Sequence, residues 1–460
     1  MNKKIFISVN LSLLFLNLLF FTLIAKHPER IGTPDEYSKI AQGIAFSGKY
    51  IRHPIPYPET EDLSSNYMKW ADINNNPDSI RMPGYPVFLS LFYKIFGYEK
   101  RFPVFANILL RLVTINIIFL MFYTTFNPHM AIFFGIISAL DISSLVYTFY
   151  LTTEILFTFF LVLSIFSYKK FSISSDKRYL FLTFFLSGIC VLIRAIAIFF
   201  PLILLIGSIL KDRRYSLKII LCFFIALSWT VGPWVYRNYK VFNVPGLTAI
   251  SGFNMFYYNA GGAYIMKHPG SSWEDAEQAL EKKYAYVIES ADFKKKNSFE
   301  KSIILGNLGK QYIMENKIDY IKAHLKGTVF SLMQIAGRIT FLITGEFKGT
   351  GIFASIFFKT DVKKDLLLSI VFAIYNLFLL FIYFMAFKGF IELFKRYKGN
   401  NNFNFVIFFT ILYFMFLPGP CGLLDFDRFR VPVMPFILFL ASYGLFGGKC
   451  EKSSGGNACV

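Results

Sequence analysis

Long apolar runs, separated by short basic loops, are the dominant pattern along this chain. The first run, residues 5–25, is long enough to cross the apolar layer of a bilayer, which is about 30 Å thick. Nine further apolar runs follow it. We therefore predict ten spans, at residues 5–25, 104–126, 130–149, 153–168, 179–194, 195–210, 216–233, 365–388, 403–418 and 431–447.

Lysine and arginine in the short loops predict the orientation of these spans. The loops at 168–178, 211–218 and 394–402 are short and basic, which is typical of cytoplasmic loops. Counting outward places both termini in the cytoplasm and two large segments, about 26–103 and 234–363, on the outer face. We predict a multi-pass protein of the bacterial cytoplasmic membrane with its functional residues on the outer, periplasmic side.

The same pattern divides the chain into four predicted regions. They are an N-terminal membrane module at 1–233 with the first external loop, an external helical region at 234–363, C-terminal spans at 364–447 and a cytoplasmic tail at 448–460. Residues 326–358 could lie along the interface or add a pair of spans. The predicted count is therefore ten to twelve.

Composition agrees with a membrane protein and excludes other classes. The chain is 55% hydrophobic and only 17% charged, with a mean hydropathy of +0.49. The formal charge of +19 follows mainly from cytoplasmic loops, with a contribution from binding anionic lipid or sugar phosphate. No basic domain stands apart from the spans, so we predict membrane lipids as partners and no nucleic acid. The five cysteines have no disulfide or metal spacing.

The external segments carry helix signals rather than strand alternation. Residues 33–46 begin with Thr33 as N-cap and Glu36 completing a capping box, followed by an apolar stripe at helical spacing. A second amphipathic helix is predicted at 82–97, and a Ser271–Glu274 capping pattern begins another. The predicted fold is an all-α polytopic membrane protein with amphipathic interfacial helices in its external loops.

Three carboxylates stand where a polar loop meets an apolar run. Asp35 and Glu36 follow the first span, and Glu154 stands where the chain re-enters the membrane. Acids at such edges cost free energy and often mark functional sites. Helix capping is the alternative for Glu36, and for Glu154 in the first turn of a helix that Thr152 or Thr153 begins. Capping explains less for Asp35, which is neither the N-cap nor the N3 residue. We take all three as candidate catalytic residues.

Arginines on the predicted outer side form a second candidate set. Four separate outer segments supply them: Arg81, Arg194, Arg237 and the pair Arg428 and Arg430. Each one singly could reach lipid phosphates, but outer loops need no cationic bias. Guanidinium groups bind phosphate in a bidentate fork. The set suits transfer from a lipid-phosphate sugar: a carboxylate deprotonates an acceptor hydroxyl attacking the anomeric carbon, and arginine stabilises the departing phosphate. Such a single displacement inverts the anomeric centre.

An ordered set of motifs resembles the integral-membrane glycosyltransferases of the C-type fold, which include protein mannosyltransferases and lipid A aminoarabinose transferases. The resemblance covers about residues 30–447. It rests on PDEYSKIAQGIAFSGKY after the first span, RMPGYPVFLSLFYKIFG, YTFYLTTEILFTFFLVL, PWVYRNYKVFN followed by SGFNMFYYNAG, and RFRVPVMPFILFLASYG. Each motif singly is weak, but in this order they are fairly specific.

The resemblance implies a polyprenyl-phosphate-linked sugar donor and a lipid, glycan or protein acceptor. It implies Asp35 as the catalytic base, with Glu36 and Glu154 beside it. Candidate donor-phosphate residues are Arg428, Arg430, Arg237 and Arg81, and candidate substrate-binding residues are Tyr85, Asn238 and Asn254. Relatives often have Arg-Pro where this chain has Arg194–Ala195, so no role is assigned to Arg194. Some relatives bind a divalent cation, which leaves that cofactor open, but no histidine accompanies these acids and no metal site is predicted.

Two other functions remain in view. A transporter or a flippase for lipid-linked sugars would place polar or broken helices at mid-membrane, often in internal repeats. A non-catalytic membrane scaffold would have no reason to gather acids and arginines. The enzymatic hypothesis depends on one geometric condition: side chains far apart in sequence must meet in a single site.

Overall fold

The computed structural model describes residues 3–27, 31, 35–51, 77–125, 128–333, 366–396 and 402–446. Within these residues the chain is helical almost throughout, and the β-structure is confined to an isolated antiparallel bridge between Ile51 and Pro77. The predicted all-α membrane fold is confirmed.

The N-terminal half supplies eleven helices among the described residues. They are α1 (Lys3–Ala25), α2 (Asp35–Gln42), α3 (Gly84–Phe96), α4 (Arg101–Thr125), α5 (Pro128–Ala139), α6 (Ile142–Thr148), α7 (Glu154–Ser174), α8 (Lys177–Ile193), α9 (Phe200–Lys211), α10 (Ser216–Thr230) and α11 (Gly232–Phe242). A short π-helix, Gly43–Ser47, extends α2. The predicted helix at 82–97 corresponds to α3.

Three described helical segments are long and apolar enough to cross a membrane. They are Arg101–Met121, Glu154–Ser174 and Ala373–Lys395. Two bent pairs raise the number to five if each pair is one span: His129–Ala139 with Ile142–Thr148, and Ala195–Lys211 with Arg213–Thr230. Shorter apolar helices, among them Asn402–Phe416 and Met434–Phe446, follow the predicted pattern. The count of ten to twelve spans stays a prediction.

One predicted span is broken in two. Residues 130–149 were expected to form a continuous helix, but α5 and α6 meet at a bend of 59°. Asp141 stands at the break with an extended backbone conformation (φ −74°, ψ 94°) as the N-cap of α6. Periodicity alone could not show the bend, because both pieces are apolar.

The region predicted to be external folds as a series of shorter helices. They are α12 (Ile250–Phe253), α13 (Gly261–Lys267), α14 (Trp273–Lys283), α15 (Ala285–Ile288), α16 (Ala291–Lys295), α17 (Ser298–Glu315) and α18 (Lys317–Ser331), with a π-helix at Asn254–Ala260. Helix α14 does begin with a capping box, but Ser272 and Asp275 form it. The predicted Ser271–Glu274 pair was therefore wrong by one residue.

Four helices complete the described chain: α19 (Leu366–Arg396), α20 (Asn402–Phe416), α21 (Gly422–Asp425) and α22 (Met434–Phe446). Helices α19 and α22 pack closely along each other. A Cβ atom on Gly389 would lie 1.9 Å from the Leu440 carbonyl oxygen, and one on Gly444 would lie 2.1 Å from the Met385 oxygen. Small residues at a helix crossing let backbones approach in this way.

The buried apolar residues form two clusters. The larger one joins the membrane helices of both halves of the chain. The smaller one joins the external helices from Ala249 to Tyr312 and also takes in Ile80 from the first external segment. The predicted region boundaries stay predictions. Most of 326–358 and all of the tail at 448–460 lie outside the described residues.

Candidate active site

Glu154 is the centre of a buried ionic cluster. It is the first residue of α7 and is fully buried. Its Oε1 accepts hydrogen bonds from Arg194 Nη1 at 2.7 Å and from Arg428 Nε at 2.5 Å. Residues 40 and 274 positions away in sequence thus meet on one oxygen. We call Glu154, Arg194 and Arg428 the Glu154 cluster.

Each member of the Glu154 cluster stands at the end of a helix. Arg194 is the C-cap of α8, where the backbone turns extended before a 3₁₀ turn at Ala195–Ala197. Arg428 lies in the 3₁₀ segment Phe426–Phe429. Thr153 is the N-cap of α7, but its side chain makes no capping hydrogen bond. Helix ends leave backbone polar groups without intrahelical partners, so a polar site can form where several ends meet.

The Glu154 cluster carries more positive than negative charge. Two guanidinium groups against one carboxylate give the three side chains a net charge of +1. The carboxylate is fully buried, whereas the Arg194 and Arg428 side chains are 10% and 21% exposed. The Arg194 guanidinium also lies over the rings of Phe157 and Phe429, at 5.6 and 5.9 Å. The cluster therefore offers a partly accessible cationic surface, and the buried Glu154 carboxylate positions its two guanidinium groups by accepting hydrogen bonds from them.

A second ion pair joins α2 to the stretch just before α3. Both Nε and Nη2 of Arg81 contact Glu36 Oε2. The Arg81 guanidinium lies 5.2 Å from the centre of the Tyr37 ring, and that ring meets Tyr85 edge-on at 5.4 Å. Glu36 is therefore paired with an arginine rather than acting only as a helix cap.

Tyr85 packs against Tyr37 and interacts electrostatically with Glu154. It is fully buried on α3, and burial raises its pKa well above the usual range, with Tyr93 and Glu154 raising it further. Gly84 lets α3 approach α8 closely, because a Cβ atom on this residue would lie only 2.8 Å from the Leu192 carbonyl oxygen at the end of α8. The close approach of α3 to α8 brings Tyr85 beside the Glu154 cluster.

Asp35 is the first residue of α2 and directly precedes Glu36. Its side chain lies outside what the structure describes, as does the proposed cap Thr33. The role of Asp35 as catalytic base stays a prediction. Its backbone directly precedes Glu36, which pairs with Arg81.

Arg430 is directed away from the Glu154 cluster. Its side chain is fully buried; Nη1 donates to the Leu332 carbonyl at 2.7 Å and to Tyr383 Oη at 3.3 Å. Its Nη2 donates to Ser143 Oγ at 2.5 Å, and Ser143 in turn donates to Asp427 Oδ2 at 2.8 Å. These contacts connect helices and leave the phosphate-binding role of Arg430 a prediction without a geometric argument.

Arg237 and Asn238 also serve local packing. Arg237 Nη1 donates to the Asp78 carbonyl at 2.9 Å and to Asn238 Oδ1 at 2.7 Å, and the guanidinium lies 4.8 Å from the Trp234 ring centre. Burial lowers the pKa of Arg237. Asn238 is fully buried and donates to the Gly246 carbonyl at 2.7 Å. Their predicted substrate roles remain untested.

Asn254 begins the π-helix of the external region, and its carbonyl accepts a hydrogen bond from Asn259 Nδ2 at 3.0 Å. No contact among the described residues joins it to the Glu154 cluster. Searching the same residues for groups of three or more metal-binding side chains finds none.

Sequence reasoning missed the part played by Arg194. The chain has alanine where relatives often have proline after this arginine, and that difference argued against a role. An arginine inside the apolar run ICVLIRAIAIFF is itself a signal, because a charge at that depth needs a partner. The partner is Glu154.

Comparison with known proteins finds one family model that matches part of the chain. Residues 77–235 match the model of the dolichyl-phosphate-mannose-protein mannosyltransferase family. The match contains α3, Glu154 and Arg194. The sequence resemblance to membrane glycosyltransferases is thereby confirmed, and the match indicates a glycosyltransferase.

A search of solved structures finds ArnT from Cupriavidus metallidurans, whose crystal structure has undecaprenyl phosphate bound. It is 13% identical, with a TM-score of 0.39, over 96% of this chain and 77% of that one. No curated protein sequence matches this chain significantly.

Proposed function

We propose that this chain is an inverting glycosyltransferase that moves a sugar from a polyprenyl-phosphate donor to an acceptor on the outer face of the cytoplasmic membrane. The observation that carries the proposal is the Glu154 cluster. Two arginines from distant parts of the chain converge on one buried carboxylate and leave a net positive charge. That charge matches the single negative charge of a phosphodiester, which a lipid-phosphate sugar contains.

The family match supports the donor class, because the family's name specifies a dolichyl-phosphate sugar. In the proposed reaction an acceptor hydroxyl attacks the anomeric carbon and the bond from that carbon to the phosphate oxygen breaks. The electron pair of the broken bond leaves with the polyprenyl phosphate, which gains one negative charge. Arg428 and Arg194 stabilise that charge, which is greater in the transition state than in the bound donor.

The two carboxylates of the site have different proposed roles. Two guanidinium groups neutralise Glu154, which makes it a poor proton acceptor and a good support for Arg194 and Arg428. The proton of the acceptor hydroxyl therefore passes to another group, and we propose Asp35 at the start of α2. Glu36, paired with Arg81, holds this end of α2 against the segment that leads into α3.

An apolar groove offers a place for the lipid part of the donor. It has a volume of about 530 Å³ and is lined mainly by apolar residues of α8 to α11, among them Val191, Ile198 and Leu227. Val191 and Ile198 flank Arg194 in sequence. A polyprenyl chain in this groove would end with its phosphate near the Glu154 cluster.

The proposal is tested first in a strain from which the gene is deleted. Mass spectrometry of its glycolipids and glycans should show the loss of one sugar mass, which identifies the sugar and its acceptor together. Restoring the gene should return the mass, whereas the Asp35→Asn variant at equal membrane abundance should not. Glu36→Gln serves as the neighbouring carboxylate control and should retain more activity.

Two outcomes would overturn this account. If Asp35→Asn transfers sugar at the wild-type rate, Asp35 is not the base. If the deletion changes no glycan but alters the distribution of a lipid-linked sugar between the leaflets, and the purified protein moves that lipid in liposomes, the chain is a flippase.

A further inference from the structure

A buried arginine and a buried aspartate face each other at the break between α5 and α6. Arg111 lies within the apolar span Arg101–Met121 of α4, and Asp141 stands at the 59° bend. Their exposed fractions are 5% and 3%. Ionisable residues within membrane spans are costly, and their presence indicates a site with a specific partner. The sequence motifs and the proposed reaction use neither residue.

Part of the Arg111 side chain is satisfied by direct hydrogen bonds. Its Nη1 donates to Asn17 Oδ1 at 3.0 Å, and its Nη2 donates to the Ser138 carbonyl at 2.9 Å. Its Nε is buried without a hydrogen-bond partner among the described residues, as are Asp141 Oδ1 and Ser138 Oγ. A buried polar atom without a partner costs free energy, and a charged one costs more.

Arg111 and Asp141 interact electrostatically without touching. Asp141 is the principal anionic neighbour of the Arg111 guanidinium, yet no direct ion pair or hydrogen bond joins the two side chains within the described part of the chain. Something polar between them would satisfy both, since Arg111 Nε can only donate and Asp141 Oδ1 can accept.

A cavity of about 30 Å³ lies at this position. Most of its wall is apolar, with Ile115, Phe134, Ile155, Pro435 and Leu438 contributing, and its polar lining comes from Arg111, Thr114, Ser138, Asp141, Ser144 and Thr158. A water molecule needs roughly 10 to 15 Å³ of such volume and two to four polar partners. The cavity therefore fits about two waters and is too small for a sugar or a lipid headgroup.

We propose that this cavity is a structural water site, in which bound water bridges Arg111 Nε to Asp141 Oδ1 and Ser138 Oγ. The bridge completes the pairing of the two buried charges and fixes the bend between α5 and α6. A dry cavity would leave these groups unsatisfied in the apolar interior. The inference does not depend on the proposed enzymatic function.

The water site lies next to the helix that anchors the late arginine segment. Ser143, two residues after Asp141, holds Arg430 and Asp427, and Asp141 also interacts electrostatically with Arg430. Arg111, Arg430, Asp141 and Asp427 are two cations and two anions, so this buried group is neutral as a whole. The bridging water joins its α4 end to its α6 end.

A substitution that fills the cavity distinguishes water from void. Ser138→Val places two methyl groups at a polar position of the lining and displaces the bridge. We expect the melting temperature of the full-length protein in detergent or nanodiscs to fall by about 3 to 6 °C. The matched control is Ala139→Val, which adds two methyl groups to the next residue of α5, and it should change the melting temperature less. A melting temperature for Ser138→Val that equals or exceeds the control would mean a dry cavity that was stabilised by filling, and would overturn the proposal.

A second measurement keeps the test decisive if Ser138→Val fails to fold. A map of the wild-type protein at a resolution that shows ordered water should contain density within hydrogen-bond distance of both Arg111 Nε and Asp141 Oδ1. A direct contact between these two atoms, with no density beside them, would overturn the proposal. A bound sodium ion would also overturn it and would show as contacts to oxygen atoms only.

Discussion

Arg428 and Arg430 stand two residues apart in one segment, and their surroundings are opposite. Arg428 shares the Glu154 carboxylate with Arg194 and keeps 21% of its side chain exposed. Arg430 is fully buried and binds Ser143, Tyr383 and the Leu332 carbonyl. The comparison teaches that two arginines of one motif can have different roles: the Arg428 guanidinium remains accessible to a ligand, while the Arg430 guanidinium fixes the segment in the protein interior.

The largest expected effect comes from removing the buried member of the comparison. Arg430→Ala removes the buried guanidinium that interacts with both Asp427 and Asp141, and leaves Arg111 as the remaining cation beside Asp141. Breaking a buried charge pair from one side destabilises by about 3 to 5 kcal/mol. We expect loss of the monodisperse folded protein, measured as a lower melting temperature in size-exclusion thermal assays of the detergent-solubilised chain.

Arg428→Ala is the matched control in the same thermal assay, and it should lower the melting temperature much less, because Arg194 still pairs with the buried Glu154 carboxylate. A stable Arg430→Ala variant that has lost only donor binding would contradict the division of roles. It would support the phosphate-binding role that the sequence motif predicted for Arg430.

The next effect in size concerns catalysis. Arg428→Ala removes a charge-assisted donor from the proposed site of the departing phosphate, so the rate of sugar transfer should fall by about 10²- to 10³-fold. Arg428→Lys should restore only part of this rate, because an ammonium group cannot form the bidentate fork. The measurement is transfer from a synthetic polyprenyl-phosphate sugar by purified protein at matched concentration.

The melting temperature of the Arg428→Ala variant distinguishes a loss of catalysis from a loss of folded protein. The Arg428→Ala protein should unfold within a few degrees of the wild-type temperature while its activity is lost. Full activity in a folded Arg428→Ala protein would mean that the Glu154 cluster is a structural ion pair, and the proposed function would lose its main support.

Arg237 provides a third arginine to compare with Arg428 and Arg430. Its guanidinium braces the Asp78 carbonyl and Asn238 against the Trp234 ring, so Arg237→Ala should destabilise by about 1 to 3 kcal/mol. The KM for the donor should stay unchanged. Thermal unfolding and donor titration of one protein sample give both values. An unchanged melting temperature with a raised donor KM would restore the phosphate-binding role predicted from sequence.

Apolar runs and loop charge were enough to predict the fold class, because the bilayer forces every spanning segment to be a long apolar helix. The amphipathic helix at α3 was likewise visible in its period. The bend at Asp141 was not, since an aspartate between two apolar helices looks the same in sequence whether the helix continues or breaks. The aspartate faces an arginine on another helix, and that neighbour cannot be identified from the local sequence.

For the candidate site, residue type predicted which residues belong to it better than it predicted which residues contact each other. Glu154 was singled out as an acid at a membrane edge, and Arg428 as an outer arginine. Their direct contact, and that of Arg194 with the same carboxylate oxygen, depends on where α8 and the late arginine segment end relative to α7, which no local pattern encodes. Arg237 and Arg430 have the same residue type and the same predicted depth, but their carbonyl and hydroxyl neighbours come from distant segments. Burial separates these arginines, and burial is a property of the assembled fold.

The smallest effect belongs to an exposed ion pair, which provides the contrast to Glu154. Lys283 on α14 and Glu315 on α17 contact each other with side chains 41% and 43% exposed. Their hydrogen bond lowers the pKa of Glu315 and raises that of Lys283. Because the glutamate pKa is lowered, its contribution is complete above the ordinary glutamate value and disappears as the pH falls through the lowered one. Because the lysine pKa is raised, its contribution is complete below the ordinary lysine value and disappears at higher pH.

Between those limits, about pH 5 to pH 10, the stabilisation from this pair should be constant, and solvent screening should keep it below about 0.5 kcal/mol. Lys283 also lies over the Tyr312 ring at 4.9 Å, so a single truncation would mix packing with charge. A double-mutant cycle with Lys283→Gln and Glu315→Gln, read by thermal unfolding at low and high salt, isolates the pair. A coupling energy above about 1 kcal/mol that survives high salt would exceed what exposed pairs give, and burial would then not be what separates this pair from the Glu154 cluster.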